Sequence, residues 1–255
     1  MARTYVVTGS ASGIGRATSE LLASEGHRVI DVDRHGASVT ADLSTPEGRL
    51  GMVAAVTDAV GADGVVDAVV ANAGVSDPAE LCVQVNYFGA VATLEGLRPL
   101  LAGSPAPRAV VTASSSVLTG ADPTVLDACL AGDEAAAVAA AGTVGLMAYP
   151  TTKRAIARWV RREAPTDAWA GAGIGLNAVA PGVVLTPMAQ PLFDDEAMRE
   201  LMDSAVPMPY QGYAEPVHVA RLIAFLASGD TQRITGQVVF IDGGADTVLR
   251  GDDIW

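Results

Sequence analysis

The sequence of 255 residues contains few cysteines, histidines and lysines. Its two cysteines, Cys82 and Cys129, are too few for a disulfide framework, which predicts a protein of the reducing cytoplasm. The three histidines are widely scattered, and no Cys/His pair has metal-ligand spacing, so we expect no bound metal. An apolar run of the roughly 18 residues that a membrane helix needs is also lacking. No signal-peptide pattern precedes the first apolar segment, so we expect neither insertion into a membrane nor secretion.

Positive charge is scarce as well. Sixteen Lys and Arg residues against 29 Asp and Glu residues give a net charge of −13 and a sequence pI near 4.5. Such an acidic chain is not expected to bind nucleic acid or an anionic membrane surface. Any phosphate that it binds must therefore be held by backbone amides and helix ends.

Only one of the sixteen basic residues is a lysine, Lys153, and it follows Tyr149 by four residues. This spacing places both side chains on one face of a helix, and Pro150 is suited to the first turn of that helix. An ammonium beside a phenol favours phenolate, which predicts a Tyr149 pKa about three units below its usual value of about 10. Such a phenol could exchange a proton near neutral pH. An isolated pair of this kind is usually an ordinary helix surface, so its function depends on the rest of the chain.

A strand, a glycine-rich turn and a helix open the chain. Residues 4–8 are β-branched and aromatic, and residues 16–25 have apolar side chains at a helical period. Between them, Gly9, Gly13 and Gly15 have the spacing G-x-x-x-G-x-G. Glycines let the backbone approach a pyrophosphate closely, and the helix N-terminus offers amides to it. This context predicts a dinucleotide-binding loop, although the spacing differs from G-x-G-x-x-G.

An acidic residue, Asp33, ends the second predicted strand at residues 28–32. A carboxylate at this position can accept hydrogen bonds from both adenosine ribose hydroxyls, and it repels a 2′-phosphate. NAD is therefore favoured over NADP. Arg34 could reach a phosphate, which keeps NADP as the less favoured alternative.

Strands and helices alternate through the rest of the chain. Further strands are predicted at 38–41, 65–71, 109–113, 175–180 and 238–241, and further helices at 46–60, 81–100, 149–163 and 217–227. This alternation predicts an α/β fold with a single Rossmann-type, doubly wound parallel sheet of about seven strands flanked by helices. We expect one domain covering residues 1–255.

Two segments are predicted to extend from this sheet. Residues 120–146 are alanine-rich and predict a helical insertion, which could form a subunit contact. Residues 188–216 are rich in Met, Leu, Phe, Tyr and Pro and follow a strand end, so they predict a lid over an apolar ligand. The apolar side chains of this lid favour a small hydrophobic alcohol or ketone, such as a steroid, terpenoid or aromatic carbonyl compound, as the substrate.

Taken together, these motifs resemble the short-chain dehydrogenase/reductase family over essentially the whole chain. Within that family, the chain resembles the bacterial 3α-hydroxysteroid dehydrogenase/carbonyl reductase group. The similarity lies in the insertion and in Ala41-Asp42-Leu43-Ser44-Thr45, Val85-Asn86-Tyr87-Phe88-Gly89-Ala90 and Ile241-Asp242-Gly243-Gly244. The resemblance implies an NAD(H)-dependent oxidoreductase that interconverts a secondary alcohol and a ketone, and it implies a homo-oligomer, either a dimer or a tetramer.

The resemblance also implies a catalytic tetrad of Asn86, Ser114, Tyr149 and Lys153. Tyr149 is expected to act as general acid or base, and Lys153 to lower its pKa and hold the nicotinamide ribose. Ser114 is expected to hydrogen-bond the substrate oxygen, and Asn86 to anchor a water on a proton path. Because Ala113 precedes three serines here, Ser115 competes with Ser114 for the serine role.

A cofactor site and a substrate site are implied in the same way. The expected cofactor residues are Gly9, Ser12, Gly13, Ile14, Gly15, Asp33, Arg34, Asp42, Leu43, Asn72, Ala73, Gly74, Tyr149, Lys153, Pro181, Gly182, Val184, Thr186 and Met188. Asp42 and Leu43 are expected beside the adenine. The expected substrate residues are Ser114, Ser116, Tyr149, Pro181, Met188, Leu192 and Met208. A non-catalytic dinucleotide sensor or scaffold, or the same chemistry with NADP on a small ketone, are the alternatives.

Overall fold

The computed structural model describes residues 2–62, 64–252 and 254 and is built on a parallel sheet of seven strands. The strands are β1 (Thr4–Thr8), β2 (Arg28–Asp33), β3 (Val39–Thr40), β4 (Ala68–Ala71), β5 (Arg108–Thr112), β6 (Gly175–Pro181) and β7 (Val238–Ile241). Their spatial order is β3-β2-β1-β4-β5-β6-β7, and every neighbouring pair is parallel. This topology confirms the predicted fold class.

Helices lie on both faces of the sheet. They are α1 (Gly13–Ser24), α2 (Pro46–Val60), α3 (Ala79–Leu81), α4 (Ala90–Leu97), α5 (Pro123–Ala131), α6 (Glu134–Ala141), α7 (Ala148–Glu163), α8 (Gln190–Phe193), α9 (Glu196–Ala205), α10 (Pro216–Ala227) and α11 (Ala245–Arg250). Among the described residues, no helix is both long enough and apolar enough to cross a membrane.

The strand order reverses between β1 and β4, and this reversal fixes where ligands can bind. Crossovers leave the sheet on opposite sides at such a point, so a crevice opens beyond the carboxyl ends of the strands. Gly9 directly follows β1, Asn72 follows β4, Ala113 follows β5 and Gly182 follows β6. The sequence motifs are therefore brought to one edge of the sheet.

Both faces of the central strands are buried, as their nearly continuous apolar sequences predict. Val6 belongs to the larger core, which packs against α2, α4 and α7, and its neighbour Val7 belongs to the smaller core beneath α10. The alternation follows from the strand period of two residues. Leu97 of the larger core and Ile223 of the smaller core are both fully buried.

The structure differs from the sequence prediction in three places. The strand predicted at 65–71 is formed only over Ala68–Ala71, and α11 was not predicted. The helix predicted at 81–100 is divided into α3, a π-helical segment at Cys82–Gly89, α4 and a 3₁₀ turn at Arg98–Leu101. Helical periodicity alone does not reveal a π segment, because such i→i+5 segments are rare and occur as short stretches within longer helices.

The insertion forms two short helices, α5 and α6. Asp122 caps α5 by accepting a hydrogen bond from the Val125 amide, and Asp133 caps α6 in the same way through the Ala136 amide. Gly132 between them has a φ of 76°, the left-handed conformation that ends a helix. Two caps and one glycine thus divide the alanine-rich segment.

Two leucines test the core. Leu97 is 0% exposed on α4, and Leu50 is 73% exposed on α2. We expect Leu97→Ala to lower the free energy of unfolding by about 2–5 kcal/mol, because it leaves a cavity in a packed core. Leu50→Ala, the matched control, should change it by less than about 0.5 kcal/mol. Urea unfolding followed by circular dichroism measures both, and equal effects would contradict this description of the core.

Candidate active site

A cavity of ≈ 480 Å³ runs along the carboxyl edge of the sheet, with Asp33 at one end and Tyr149 at the other. Its wall is made by the segments that follow β1, β2, β4, β5 and β6. Every predicted cofactor residue lines it except Gly15. The short connections of the sheet therefore assemble one continuous pocket from motifs that are far apart in the chain.

The glycine turn is shaped by close backbone contacts. Gly9 and Gly13 have φ values of 69° and 52°, which favour glycine. A Cβ on Gly15 would lie 2.0 Å from the Gly9 oxygen, so Gly15 lets α1 pack onto the turn instead of lining the cavity. Ser12 is the N-cap of α1, and within the described chain no side chain accepts from the first amides of this helix. These amides and the helix dipole are available to an anion.

Asp33 is tied to this turn. One carboxylate oxygen accepts a hydrogen bond from the Ala11 amide at 3.0 Å, and the other accepts from the Arg34 amide at 2.7 Å. The negative charge is therefore held at the end of β2, facing the cavity, with further acceptor capacity on both oxygens.

Asp42 is fixed in a similar way on the next segment of the wall. Its Oδ1 accepts from the Ser44 amide at 2.9 Å and from the Ser44 hydroxyl at 2.7 Å. These two hydrogen bonds lower the pKa of Asp42 below its usual value. Its carboxylate is thus charged at neutral pH and has a defined orientation.

Asn72 joins the ends of three strands. Its side-chain amide donates to the Thr8 carbonyl of β1 at 3.3 Å, and its carbonyl accepts from the Thr112 hydroxyl of β5 at 3.0 Å. The backbone amides of Asn72 and Ala73 both donate to the Thr8 hydroxyl at 3.1 Å. The floor of the cavity is therefore a polar network anchored in the sheet.

Asn86 lies in the π segment and is hydrogen-bonded to two other parts of the chain. Its Oδ1 accepts from the Val75 amide at 2.8 Å, and its Nδ2 donates to the Val75 carbonyl at 2.9 Å and to the Thr152 hydroxyl at 3.3 Å. The side chain is only 1% exposed and lies behind the cavity wall. A Cβ on Gly74 would be 3.1 Å from Asn86 Oδ1 and 3.5 Å from Lys153 Nζ, so an atom placed there could contact both groups.

Lys153 is buried at 4% exposure, and its Nζ donates to the Thr112 carbonyl at 2.9 Å. The ammonium lies 5.7 Å from the centre of the Tyr149 ring, as expected for two residues on one helix face. Burial lowers the pKa of Lys153 to about 8. At neutral pH the group is still mainly cationic.

The half-buried phenol of Tyr149 differs from the sequence expectation. Burial is the largest influence and raises its pKa above 10, while a hydrogen bond from Ser114 acts in the opposite direction. The predicted lowering of this pKa is therefore wrong for this structure, because desolvation outweighs the hydrogen bond from Ser114. Tyr149 is a neutral proton donor at pH 7.

Ser114 is the serine that faces this phenol. Its Oγ accepts from the Ser116 amide at 3.1 Å and caps a 3₁₀ turn at Ser115–Leu118, which leaves its hydroxyl proton for another acceptor. Ser115 is 1% exposed at the start of that turn. Of the two candidates, Ser114 is the one whose hydrogen bond affects Tyr149.

The predicted substrate residues are only partly brought together. Ser114, Ser116, Tyr149, Pro181 and Met188 line the cavity. Leu192 lies in α8, but its side chain is outside the described part of the structure. Met208 does not line this cavity, since its sulfur accepts from the Val183 amide at 3.2 Å behind the wall.

Several residues that line the Tyr149 end of the cavity were not predicted from the sequence. They are Val75, Ser76, Leu81, Val85, Leu146 and Val206. Leu81 and Val85 have the i, i+4 spacing that could have identified them, on the face just before Asn86. Met202 of α9 and Val206 just after it both line the cavity, so the segment predicted as a lid does reach the cavity.

In the described ranges, no group of three or more His, Cys, Asp or Glu side chains could hold a metal ion.

Two family models and several known dehydrogenases match this chain. Residues 3–124 match the family model of short chain dehydrogenase, and residues 133–246 match that of enoyl-(acyl carrier protein) reductase. The 3-alpha-hydroxysteroid dehydrogenase/carbonyl reductase of Comamonas testosteroni is 38% identical, over 96% of this chain and 97% of that protein. The cis-4-hydroxycyclohexanecarboxylate dehydrogenase of Sinomonas cyclohexanicum is 32% identical over the same shares.

One solved structure is similar to this chain over almost the whole length of the chain. The 3-alpha-hydroxysteroid dehydrogenase of Pseudomonas sp. B-0831, in complex with NADH, superposes with a TM-score of 0.90 at 42% identity. The match covers 98% of this chain and all of that one.

The buried ammonium gives a pH-dependent stability. Because the folded pKa of Lys153 is near 8 and the unfolded value is near 10.5, the unfolded state binds more protons between these pH values. The free energy of unfolding of the wild type, relative to Lys153→Met, should therefore rise by about 2–3 kcal/mol from pH 7.5 to pH 10.5. Urea titrations of both proteins across this range measure the difference. A flat or falling difference would show that the ammonium is not desolvated.

Proposed function

The chain belongs to the short-chain dehydrogenase/reductase family, and on that premise we propose that it interconverts a hydrophobic secondary alcohol and a ketone with NAD(H). The coarser activity, oxidoreduction of an alcohol or ketone with a nicotinamide dinucleotide, is shared with its relatives. The observation that carries the finer proposal is the convergence of Ser114, Tyr149 and Lys153 at one end of the cavity.

The residues along the cavity fit a dinucleotide. The free amides at the start of α1 suit the pyrophosphate, and the Asp33 carboxylate suits the adenosine ribose. Asp42 and Leu43 are available to the adenine, and the Lys153 ammonium is available to the second ribose. When bound, the nicotinamide supplies or accepts the hydride.

Tyr149 carries the proton in this proposal. As a neutral phenol it donates its proton to the carbonyl oxygen in ketone reduction, and as phenolate it accepts the alcohol proton in oxidation. Its raised pKa makes the neutral, proton-donating form the resting state at pH 7. Ser114 donates a hydrogen bond to the same oxygen and stabilises the charge that develops there.

Lys153 and Asn86 support the phenol from behind. The Lys153 ammonium is fixed by the Thr112 carbonyl, so its charge stabilises the phenolate that remains after proton transfer. The space at Gly74, in contact with both Asn86 Oδ1 and Lys153 Nζ, is suited to a water that returns a proton to the site. Asn86 also holds Val75 in place, so its side chain serves both the wall and this path.

The substrate is proposed to be neutral and apolar. The wall beyond Ser114 and Tyr149 is formed by Leu81, Val85, Leu146, Met188, Met202 and Val206. Apart from Lys153 and Arg34, no basic residue of the described chain lines the cavity, and Arg34 lies at the opposite end. A carboxylate, such as the one on the substrate of the Sinomonas relative, would have no cation to pair with here other than Lys153, whose Nζ is already hydrogen-bonded to the Thr112 carbonyl. A steroid-like, terpenoid or aromatic ketone fits this wall, in keeping with the hydroxysteroid dehydrogenase relatives.

Removal of the Tyr149 hydroxyl tests the mechanism. We expect Tyr149→Phe to lower kcat for reduction of a hydrophobic ketone by about 10²–10⁴-fold, because no other group is in place to donate the proton. The Kd for NADH should change by less than about twofold, since the ring remains in place. Tyr210→Phe is the control, because Tyr210 is 69% exposed and outside the cavity wall. Absorbance assays at 340 nm and calorimetry give both values, and near-normal turnover by Tyr149→Phe would refute the assignment.

The charge at the end of β2 tests the cofactor preference. We expect Asp33→Asn to lower the ratio of kcat/KM with NADH to kcat/KM with NADPH by about tenfold or more, because the repulsion of a 2′-phosphate is lost. The amide oxygen can still accept from the Ala11 amide, which keeps the link to the turn, whereas the hydrogen bond from the Arg34 amide is lost. Arg34→Ala should shift the ratio the other way. An Asp33→Asn enzyme with the wild-type ratio would contradict the NAD assignment.

A further inference from the structure

Arg49 of α2 is a buried arginine that joins four segments of the chain. It is 7% exposed, and its Nε donates to the Leu43 carbonyl at 2.7 Å. Its Nη2 donates to the Ser44 carbonyl at 3.2 Å and to the Gln84 carbonyl at 2.9 Å. Glu134, the first residue of α6, accepts from both terminal nitrogens at 2.7 and 2.6 Å. The insertion is thus bound, through one guanidinium, to the loop at 42–44.

The loop at 42–44 is held tightly on the side that faces away from the cavity. A Cβ on Gly48 would lie 1.9 Å from the Asp42 oxygen, and a Cβ on Gly89 would lie 3.1 Å from both the Leu43 oxygen and its Cβ. Its other side lines the cavity. A change in how Arg49 holds the Leu43 and Ser44 carbonyls must therefore move atoms of the cavity wall, because there is little space behind them.

The charge of Glu134 keeps Arg49 in this position. A buried guanidinium without a carboxylate is costly, whereas the observed two-point pairing fixes both its charge and its plane. The Glu134 side chain is 27% exposed and the Arg49 side chain 8%, so the pair is only partly screened by solvent. Arg49 also lies 5.9 Å from the centre of the Phe88 ring, which further limits its movement.

We propose that Arg49 and Glu134 are positioning residues for the adenosine end of the cofactor, and that the insertion contributes to cofactor affinity through this ion pair. The inference rests on the proposed function, because it takes the loop at 42–44 as the adenine wall. Glu134 itself is not part of the cavity wall, so its effect passes through Arg49 to the Leu43 and Ser44 carbonyls.

The nicotinamide end should be much less affected. Gln84 lies in the same π segment as Asn86, but Asn86 has three hydrogen bonds of its own to Val75 and Thr152. Lys153 is held by the Thr112 carbonyl on β5. The two ends of the cavity are therefore supported by separate networks, and ligands that occupy only one end can distinguish them.

The test uses three ligands with the full-length protein. NADH and ADP-ribose contain the adenosine end, whereas reduced nicotinamide mononucleotide lacks it. We expect Glu134→Gln, which keeps the side-chain shape and removes the charge, to raise the Kd of NADH and of ADP-ribose by about 3–10-fold. The kcat/KM with reduced nicotinamide mononucleotide should stay within about twofold of the wild-type value. Calorimetry gives the Kd values, and a ketone-reduction assay gives kcat/KM.

Two further variants make the result decisive. Asp246→Asn removes the carboxylate of another two-point pair, with Arg250 on α11. It should change neither the Kd of NADH or ADP-ribose nor the kcat/KM with reduced nicotinamide mononucleotide. The double variant Arg49→Met/Glu134→Met removes both charges together and so leaves no unpaired buried charge. It should raise the Kd of NADH and of ADP-ribose at least as much as Glu134→Gln does.

Three results would overturn the proposal. An unchanged ADP-ribose Kd in both variants would show that the ion pair does not position the adenine wall. An equal loss with reduced nicotinamide mononucleotide would indicate a general structural role. Failure of the wild type to bind NADH or ADP-ribose would overturn the proposed function as well, and it is recognised by the wild-type measurement alone.

Discussion

The buried ammonium of Lys153 is the constraint on which the site depends. Desolvation of a cation is unfavourable, and the structure offsets it with the Thr112 carbonyl at 2.9 Å and the nearby ring of Tyr149. The Thr112 hydroxyl in turn donates to Asn72, which is bonded to Thr8 at the end of β1. The charge is therefore held by the sheet itself, and α7 is fixed in rotation because its lysine must meet this carbonyl.

This arrangement follows from a parallel sheet with a reversal of strand order. All strands end at the same edge, so a carbonyl at the end of β5, an amide after β4 and a glycine turn after β1 become neighbours. Small residues then decide how close these segments can come. Gly9 and Gly15 each stand where a Cβ would meet a neighbouring segment, so their lack of a side chain is a packing requirement.

The cavity combines two differently supported ends. At the Asp33 end, the wall is a loop held by glycine contacts and by the Arg49–Glu134 pair, which comes partly from the insertion. At the Tyr149 end, the wall is anchored by strand ends and by the π segment around Asn86. In the proposed function, an acidic protein binds a pyrophosphate between these ends because the start of α1 provides amides and a dipole without a basic patch.

The sequence by itself determined the fold class and the order of the elements, because strand and helix periods are local patterns, and all but one of the residues it predicted for the cofactor line the cavity. It did not predict the π segment at Cys82–Gly89, the position of Met208 behind the wall or the contact between Arg49 and Glu134, which are 85 residues apart. It also predicted the wrong direction for the Tyr149 pKa, since a neighbouring charge is visible in the sequence but the degree of desolvation is not. Only the tertiary structure decides burial, and burial has the largest influence on the pKa values of Tyr149 and Lys153.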